Sequence, residues 1–467
     1  VDQKTLRVWK RTLNIEKRVL ASGGHLVNQQ KNQQNRGIGF WSATAIGVGG
    51  MVGGGIFAVL GLAVQLAKGG TPVAFLLGGT IAMITSYSYA RLSVTYPSRG
   101  GTVEFLNRAF GTGIITGGLN ILLWISYIVM ISLYAYAFGS YGASFLPQNL
   151  QPVWKHVFIT GIVILLTGLN TLSASIVGKA EEWIVIFKVA ILFLFIIAGI
   201  WTVDSSRIQL QTWAHPLQLV VGGMIIFLAY EGFELIANTT EEIKDQKERK
   251  RLPLAYYTSV GLVMFLYIMV ALVTVGNLPY DQIIAAEDYA LAASARPFLG
   301  NAGFTLIAIA ALLSTTSAIN ASLYGAARVS YIIAKEGELP EVLEHRVWNR
   351  PTEGLLITTG LALLLANLFD LSSIAIMGSA GFLLIFSAVN MANARLYKKT
   401  KSNRLIPVAG AIVCLMALII LVSSTAGSLR DIGILAVMIG SSFAIEYAYR
   451  KLSKREIQPL PDIMELD

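Results

Sequence analysis

Stretches of 18 or more apolar residues recur from Ile38 almost to Tyr449, and nothing constrains the fold of this chain more. A hydrocarbon layer about 30 Å thick takes roughly 20 helical residues to cross, and inside it every backbone amide must find a partner within the protein. The runs have helix length and lack the two-residue alternation of a membrane barrel, so the chain is expected to be an all-α membrane protein. Composition agrees: 54% of the 467 residues are apolar and only 13% are charged, too few to coat a water-soluble globule.

Twelve spans are predicted. The first six are Ile38 to Gln65, Thr71 to Val94, Ile114 to Ser144, Val153 to Leu172, Glu182 to Val203 and Leu217 to Ala237. The second six are Leu254 to Gly276, Ala302 to Ile333, Gly354 to Leu368, Ser372 to Arg395, Leu405 to Thr425 and Ile432 to Tyr449, the ninth being the shortest. Thirty of the 36 lysines and arginines belong to alternate segments counted from the N-terminus. The intervening loops hold only Lys68, Lys155, Arg207, Arg296 and Arg430, and Lys188 is left over within the fifth span. Positively charged loops are retained in the cytoplasm, so both termini are expected there, with the chain crossing the plasma (cell inner) membrane an even number of times.

A net charge of +9 raises the question of nucleic acid, but the basic residues are spread over seven short segments and form no patch with interleaved aromatics. No nucleic-acid partner and no obligatory protein partner is expected; the lipid bilayer is. The tail 1–37 carries a basic amphipathic stretch from Leu6 to Leu20 and an Asn/Gln-rich stretch from Asn28 to Asn35, which suits a segment lying on the anionic inner leaflet. The single cysteine, Cys414, lies in an apolar span and excludes an intramolecular disulfide.

Two spans carry residues that a lipid-facing helix avoids. Span one has six glycines between Gly47 and Gly55, each costing a helix interior about 0.8–1.0 kcal/mol relative to alanine. Gly49/Gly53 and Gly50/Gly54 have the spacing of a close helix contact, while consecutive glycines at mid-depth fit an unwound segment whose amides bind an anionic group. Span six contains Tyr230-Glu231-Gly232-Phe233-Glu234, and carboxylates at that depth must face protein or water, either as internal hydrogen-bond partners or as part of a cavity. The two breaks, in spans one and six, are five places apart in span order. An inverted repeat of five plus five helices follows, 38–203 and 217–395, with discontinuous helices one and six, two extra C-terminal helices in 405–449 and a cytoplasmic tail 450–467.

Lys188 sits shallow enough in the predicted fifth span to snorkel, yet a lysine desolvated in a packed interior exchanges its proton readily. Span eight offers Ser314, Thr315, Thr316, Ser317 and Asn320, suited either to helix–helix hydrogen bonds or to holding a cation. The outer loop from Pro279 to Pro297 is expected to cap the external vestibule. No metal-ligand cluster, phosphate loop or nucleophile–base spacing points to an enzyme.

Gly53-Gly54-Gly55-Ile56-Phe57, Ala229-Tyr230-Glu231-Gly232-Phe233-Glu234 with Glu241-Glu242-Ile243, and Tyr324-Gly325-Ala326-Ala327-Arg328 with Ala334 to Pro340 together resemble the amino acid-polyamine-organocation transporters. The resemblance covers about Gly37 to Lys399 and is greatest to archaeal, broad-specificity, proton-coupled amino acid transporters, including the stretch Gly178 to Gly199. It implies that the Gly53, Gly54 and Gly55 backbone binds a substrate carboxylate, and that carbonyls near Gly50 and in Phe227, Leu228 and Ala229 bind its amino group. It further implies that the Lys188 ammonium replaces a sodium ion, reaching the Gly49 carbonyl and the Ser314 hydroxyl, with protons as the coupling ion and no cofactor. Two residues depart from the family pattern. Leu228 stands where many members have a large aromatic, and Glu231 where many are apolar, which points to selectivity for cationic side chains or to a second protonation site. The expected function is proton-coupled amino acid import by alternating access. The rivals are a sodium-independent exchanger or facilitator of cationic amino acids or polyamines, and a membrane nutrient sensor.

Overall fold

The computed structural model describes residues 39–98, 100–172, 175–243, 245–335, 337, 346–347, 350–425 and 427–452. The N-terminal tail, the C-terminal tail beyond Leu452 and most of the Ala334 to Pro340 motif lie outside the described residues, as does the proposed amphipathic stretch from Leu6 to Leu20. Among the described residues, ten helices are long and apolar enough to cross a bilayer, and one bent pair makes an eleventh span. The 17-residue helix Thr352–Leu368 is the twelfth and, as expected, the shortest.

The predicted spans are all present, with helix ends set by local chemistry. Span two (Thr71–Thr95) begins with Pro72, whose missing amide costs nothing in a first turn. Span seven (Gln246–Asn277) is capped by Asp245, which accepts from the Lys247 amide at 2.8 Å, and span ten (Leu371–Arg395) by Asp370, which accepts from Ser373 at 2.8 Å. Spans three (Ile114–Ala143), four (Gln151–Leu172), eleven (Leu405–Ser424) and twelve (Leu429–Leu452) fall within a few residues of their predicted bounds. Span eight lies within Ala290–Lys335, a helix interrupted at Gly300, where φ is +63°.

Span five is the informative departure. It runs Ser175–Gly199, seven residues earlier than its apolar run suggests, because the polar stretch Lys179-Ala180-Glu181-Glu182 is also helical. Lys188 therefore lies midway along the helix and is fully buried, so the snorkelling reading fails. Further elements went unpredicted, among them the amphipathic helix Thr102–Phe110 between spans two and three, the helix Tyr280–Ala286 in the loop after span seven, and a two-residue antiparallel pairing of Arg346–Val347 with Arg350–Pro351.

The most extensive helix pairings join span two with span seven and span three with span eight, each pair five places apart in span order. Spans one and six also pack on each other and on spans two and seven. The rim of the helices exposes Trp41, Trp183 and Trp201, while the interior contact of spans one, two, three, six, seven and ten is aromatic and aliphatic. The helix Tyr280–Ala286 packs Ile283 and Ala286 with Val64 of the second half of span one and Val275 of span seven.

Candidate functional site

Span one is broken. Phe40–Met51 and Gly55–Ala67 meet at 47°, and Val52 leaves the helical region with ψ at +44°. The second half begins at a glycine, Gly54, with no side-chain cap, so the first amides of this half-helix point into the break with the positive end of its dipole behind them. Gly54 is required by its neighbour: a Cβ there would overlap Cδ1 of Tyr134 from span three and stand 3.1 Å from Cγ2 of Thr315.

Span six is broken more thoroughly. Pro216–Ile226 is α-helical, Phe227–Tyr230 tightens to a 3-10 turn, Glu231 is extended, and Phe233–Glu242 resumes as a 3-10 helix. Gly232 makes the turn with φ at +118°, a conformation costly to any residue with a Cβ. There is no space for one either, since an added Cβ would collide with the Gly50 carbonyl carbon and stand 2.7 Å from the Met51 nitrogen. Gly55 approaches Ala229 as closely, a Cβ on Gly55 falling 2.7 Å from the Ala229 Cα. The two breaks thus cross backbone to backbone, Gly50 on Gly232 and Gly55 on Ala229.

Polar side chains fix that crossing. The Tyr267 hydroxyl of span seven donates to the Met51 carbonyl at 2.6 Å, and Tyr230 donates to the Phe75 carbonyl of span two at 2.8 Å. Lys188 Nζ donates to the Gly49 carbonyl at 2.8 Å. Ser314 Oγ donates to the carbonyls of Val52 at 2.9 Å and Gly53 at 2.5 Å. A buried ammonium and a hydroxyl therefore meet carbonyls of one short stretch of span one. Thr315 and Thr316 instead bond the carbonyls of Ala311 and Leu312 within their own helix, each at 2.7 Å, and Asn320 accepts from Asn170 of span four at 2.7 Å. Of these span-eight side chains, the geometry puts Ser314 on the break and Asn320 in a helix–helix contact.

The other candidates converge on the same place. Phe227 packs edge-on against Phe386 of span ten at 5.7 Å between centroids, and Leu228 fills the space opposite Gly378 of span ten. Glu231 is 3% exposed and Glu234 1%, and neither reaches lipid. Tyr134 donates to Glu231 at 3.2 Å, Tyr127 to Glu234 at 3.4 Å, and the Gly232 amide to Glu234 at 2.8 Å. The centre is closed to solvent in this conformation.

Tyr134 and Tyr127 were not legible in the sequence, since aromatic residues inside a long span read as packing until a partner is known. Gly378 was equally silent. A separate cavity of about 260 Å³ lies at the C-terminal end of span three, lined by Ser140, Gln151, Lys155, His156 and Asp288. Ser140 donates to Asp288 at 2.8 Å and Lys155 to the Tyr136 hydroxyl at 2.8 Å, with Lys155 and Asp288 3.7 Å apart. Burial pushes the Asp288 carboxyl above its ordinary 3.8, against the opposing pull of Lys155.

A family model described as amino acid permease matches residues 38–442. A protein of Methanocaldococcus jannaschii is 39% identical over 428 residues, covering 90% of this chain and 97% of its own. The inner membrane transport protein YbaT of Escherichia coli is 35% identical, covering 84% of this chain and 91% of its own. The branched-chain amino acid permease BcaP of Lactococcus lactis is 27% identical, covering 74% and 79%.

Proposed function

Because this chain belongs to the amino acid permease family, a family of multi-pass membrane transporters, we propose that it imports amino acids together with protons by alternating access across the plasma membrane. The observation that carries the proposal is Lys188. Its ammonium is fully buried, yet it is held to the Gly49 carbonyl in the span-one segment that leads into the break. An ion bound there from solution would leave and re-enter with each cycle. A tethered lysine instead gains and loses a proton, so the coupling ion becomes H⁺.

The substrate carboxylate is assigned to the amides at Gly53, Gly54 and Gly55, where the half-helix N-terminus supplies donors and positive potential. Its ammonium is assigned to carbonyls near Gly50 and in Phe227, Leu228 and Ala229, and Leu228 bounds the side-chain space toward span ten. Protonated Lys188 pins Gly49 and holds the break in shape, and its deprotonation weakens the tie by taking away the charge. Spans one, two, six and seven move as a bundle against the rest, with both termini cytoplasmic. A second reading, exchange of cationic amino acids or polyamines, is favoured by the buried carboxylates Glu231 and Glu234.

Uptake of single amino acids into proteoliposomes under imposed pH and sodium gradients tests the proposal. Accumulation driven by an inward proton gradient without sodium is expected. An absolute sodium requirement rules out the lysine mechanism, and accumulation of amines alone selects the second reading.

A further inference from the structure

Two carboxyl groups occupy the span-six break. Glu231 and Glu234 are within hydrogen-bonding distance of one another, three residues apart across the turn at Gly232. The donors aimed at them are neutral: the hydroxyls of Tyr134 and Tyr127 from span three and the Gly232 amide. Among the described residues, the titratable groups that face the pair from neighbouring elements are phenols, Tyr89 of span two, Tyr127 and Tyr134 of span three, and Tyr256 of span seven. Behind them stand rings, with Tyr89 against Phe233 at 5.4 Å and Phe386 at 5.6 Å, and Tyr127 against Phe382 at 6.0 Å. Two carboxylates in contact inside an apolar, closed interior repel each other and have each lost their water, so one of the pair has to be neutral.

Which one is set by the donors. Glu234 accepts two of them, the Tyr127 hydroxyl and the Gly232 amide, and its charge is spread over both oxygens. Glu231 accepts one, from Tyr134, which leaves it an oxygen free to carry a proton toward Glu234. We propose that Glu231 is a second proton-carrying site of this protein, neutral in the closed conformation and donating its acid hydrogen to the Glu234 carboxylate.

Tyr134 connects this site to the other break. Its ring lies on Gly54 while its hydroxyl donates to Glu231. A carboxylate bound at the Gly53 to Gly55 amides would sit beside that ring, and an ionised Glu231 would repel it. The neutral acid does not. The proton therefore enters Glu231 from water before the site closes and returns to water only when the site has opened and hydrated the pair, which leaves two solvated carboxylates and one released H⁺. This last step rests on the transport reading above; the protonation of Glu231 does not.

Infrared difference spectroscopy of the purified protein in lipid separates the two. The carbonyl stretch of a protonated carboxylic acid is expected in the wild type at neutral pH, without any substrate. Glu231→Gln should abolish it, while Glu234→Gln should leave it in place, because Glu231 remains buried. Tyr134→Phe keeps the acid but removes its donor, so the band should persist and move to higher frequency, which supplies a test even if Glu231→Gln does not fold. A wild type with no such band, a band that survives Glu231→Gln, or one that Tyr134→Phe leaves unmoved each overturns the proposal. If the bands behave as expected but no amino acid shifts them, the Glu231 site stands and the transport reading fails.

Discussion

Replacing Gly232 by alanine tests whether the crossing of the two breaks is what the molecule is built around. At φ +118° a residue with a Cβ is strained by about 1–3 kcal/mol. The added methyl group also overlaps the Gly50 carbonyl carbon and stands 2.7 Å from the Met51 nitrogen. These are backbone atoms that no rotamer change can move aside, so overpacking adds about 1–3 kcal/mol. The total of about 2–6 kcal/mol can be relieved only by separating span one from span six, and a displacement near 1 Å at a binding centre costs on the order of 100-fold in rate. Gly261 in span seven is the matched control. A Cβ there meets only the Met83 methyl group at 3.6 Å, so Gly261→Ala in a helix interior should stabilise by about 0.4–1 kcal/mol. Thermal unfolding in detergent and initial uptake rates should be measured for both variants side by side. Gly232→Ala should lower the melting temperature and nearly abolish uptake, and Gly261→Ala should raise the first and spare the second. If Gly232→Ala transports within twofold of wild type, the close approach of the two breaks is not needed for function and the reasoning is refuted.

Lys188→Met should reduce proton-driven uptake at least tenfold, and Lys188→Arg should not restore it, because a guanidinium keeps its proton; uptake at several external pH values would show either failure. Gly54→Val pushes into the Tyr134 ring and should abolish amino acid binding by isothermal calorimetry while the protein still elutes as a folded species; full affinity would remove the carboxylate site. For Asp288, the carboxyl lies above its unfolded value near 3.8, so its contribution to stability is present below that pH and is lost as pH rises through the raised folded value. Melting temperature should therefore fall over this acid range in the wild type and fall less in Asp288→Asn. A slope unchanged by Asp288→Asn would assign the dependence elsewhere.

Much of the architecture was written in the sequence. Hydrophobic length alone gave the spans, because lipid forces each backbone amide to be satisfied within its own helix, and the two interrupted spans were visible as six glycines in one and two carboxylates beside a glycine in the other. The candidate residues that the resemblance implied, Gly49, Gly50, Gly53 to Gly55, Lys188, Phe227 to Ala229 and Ser314, are assembled around one crossing, with the departing Glu231 beside them.

What tertiary structure alone decided is how they meet. The depth of Lys188 was misjudged because polar Lys179 to Glu182 hid the first turns of span five, and only packing against span one shows that the ammonium faces Gly49 instead of lipid. Ser314 and Thr315 are adjacent hydroxyls in sequence, yet one reaches across to span one and the other turns back on its own helix. Tyr134 carried no signal at all. Its role depends on a glycine 80 residues before it and a carboxylate 97 residues after it, and an apolar span looks the same whichever neighbour its aromatic ring touches. Sequence determines that a helix crosses the membrane through the transfer of its own side chains, a local quantity. Which face of that helix meets which break depends on contacts between distant segments, and no local pattern records them.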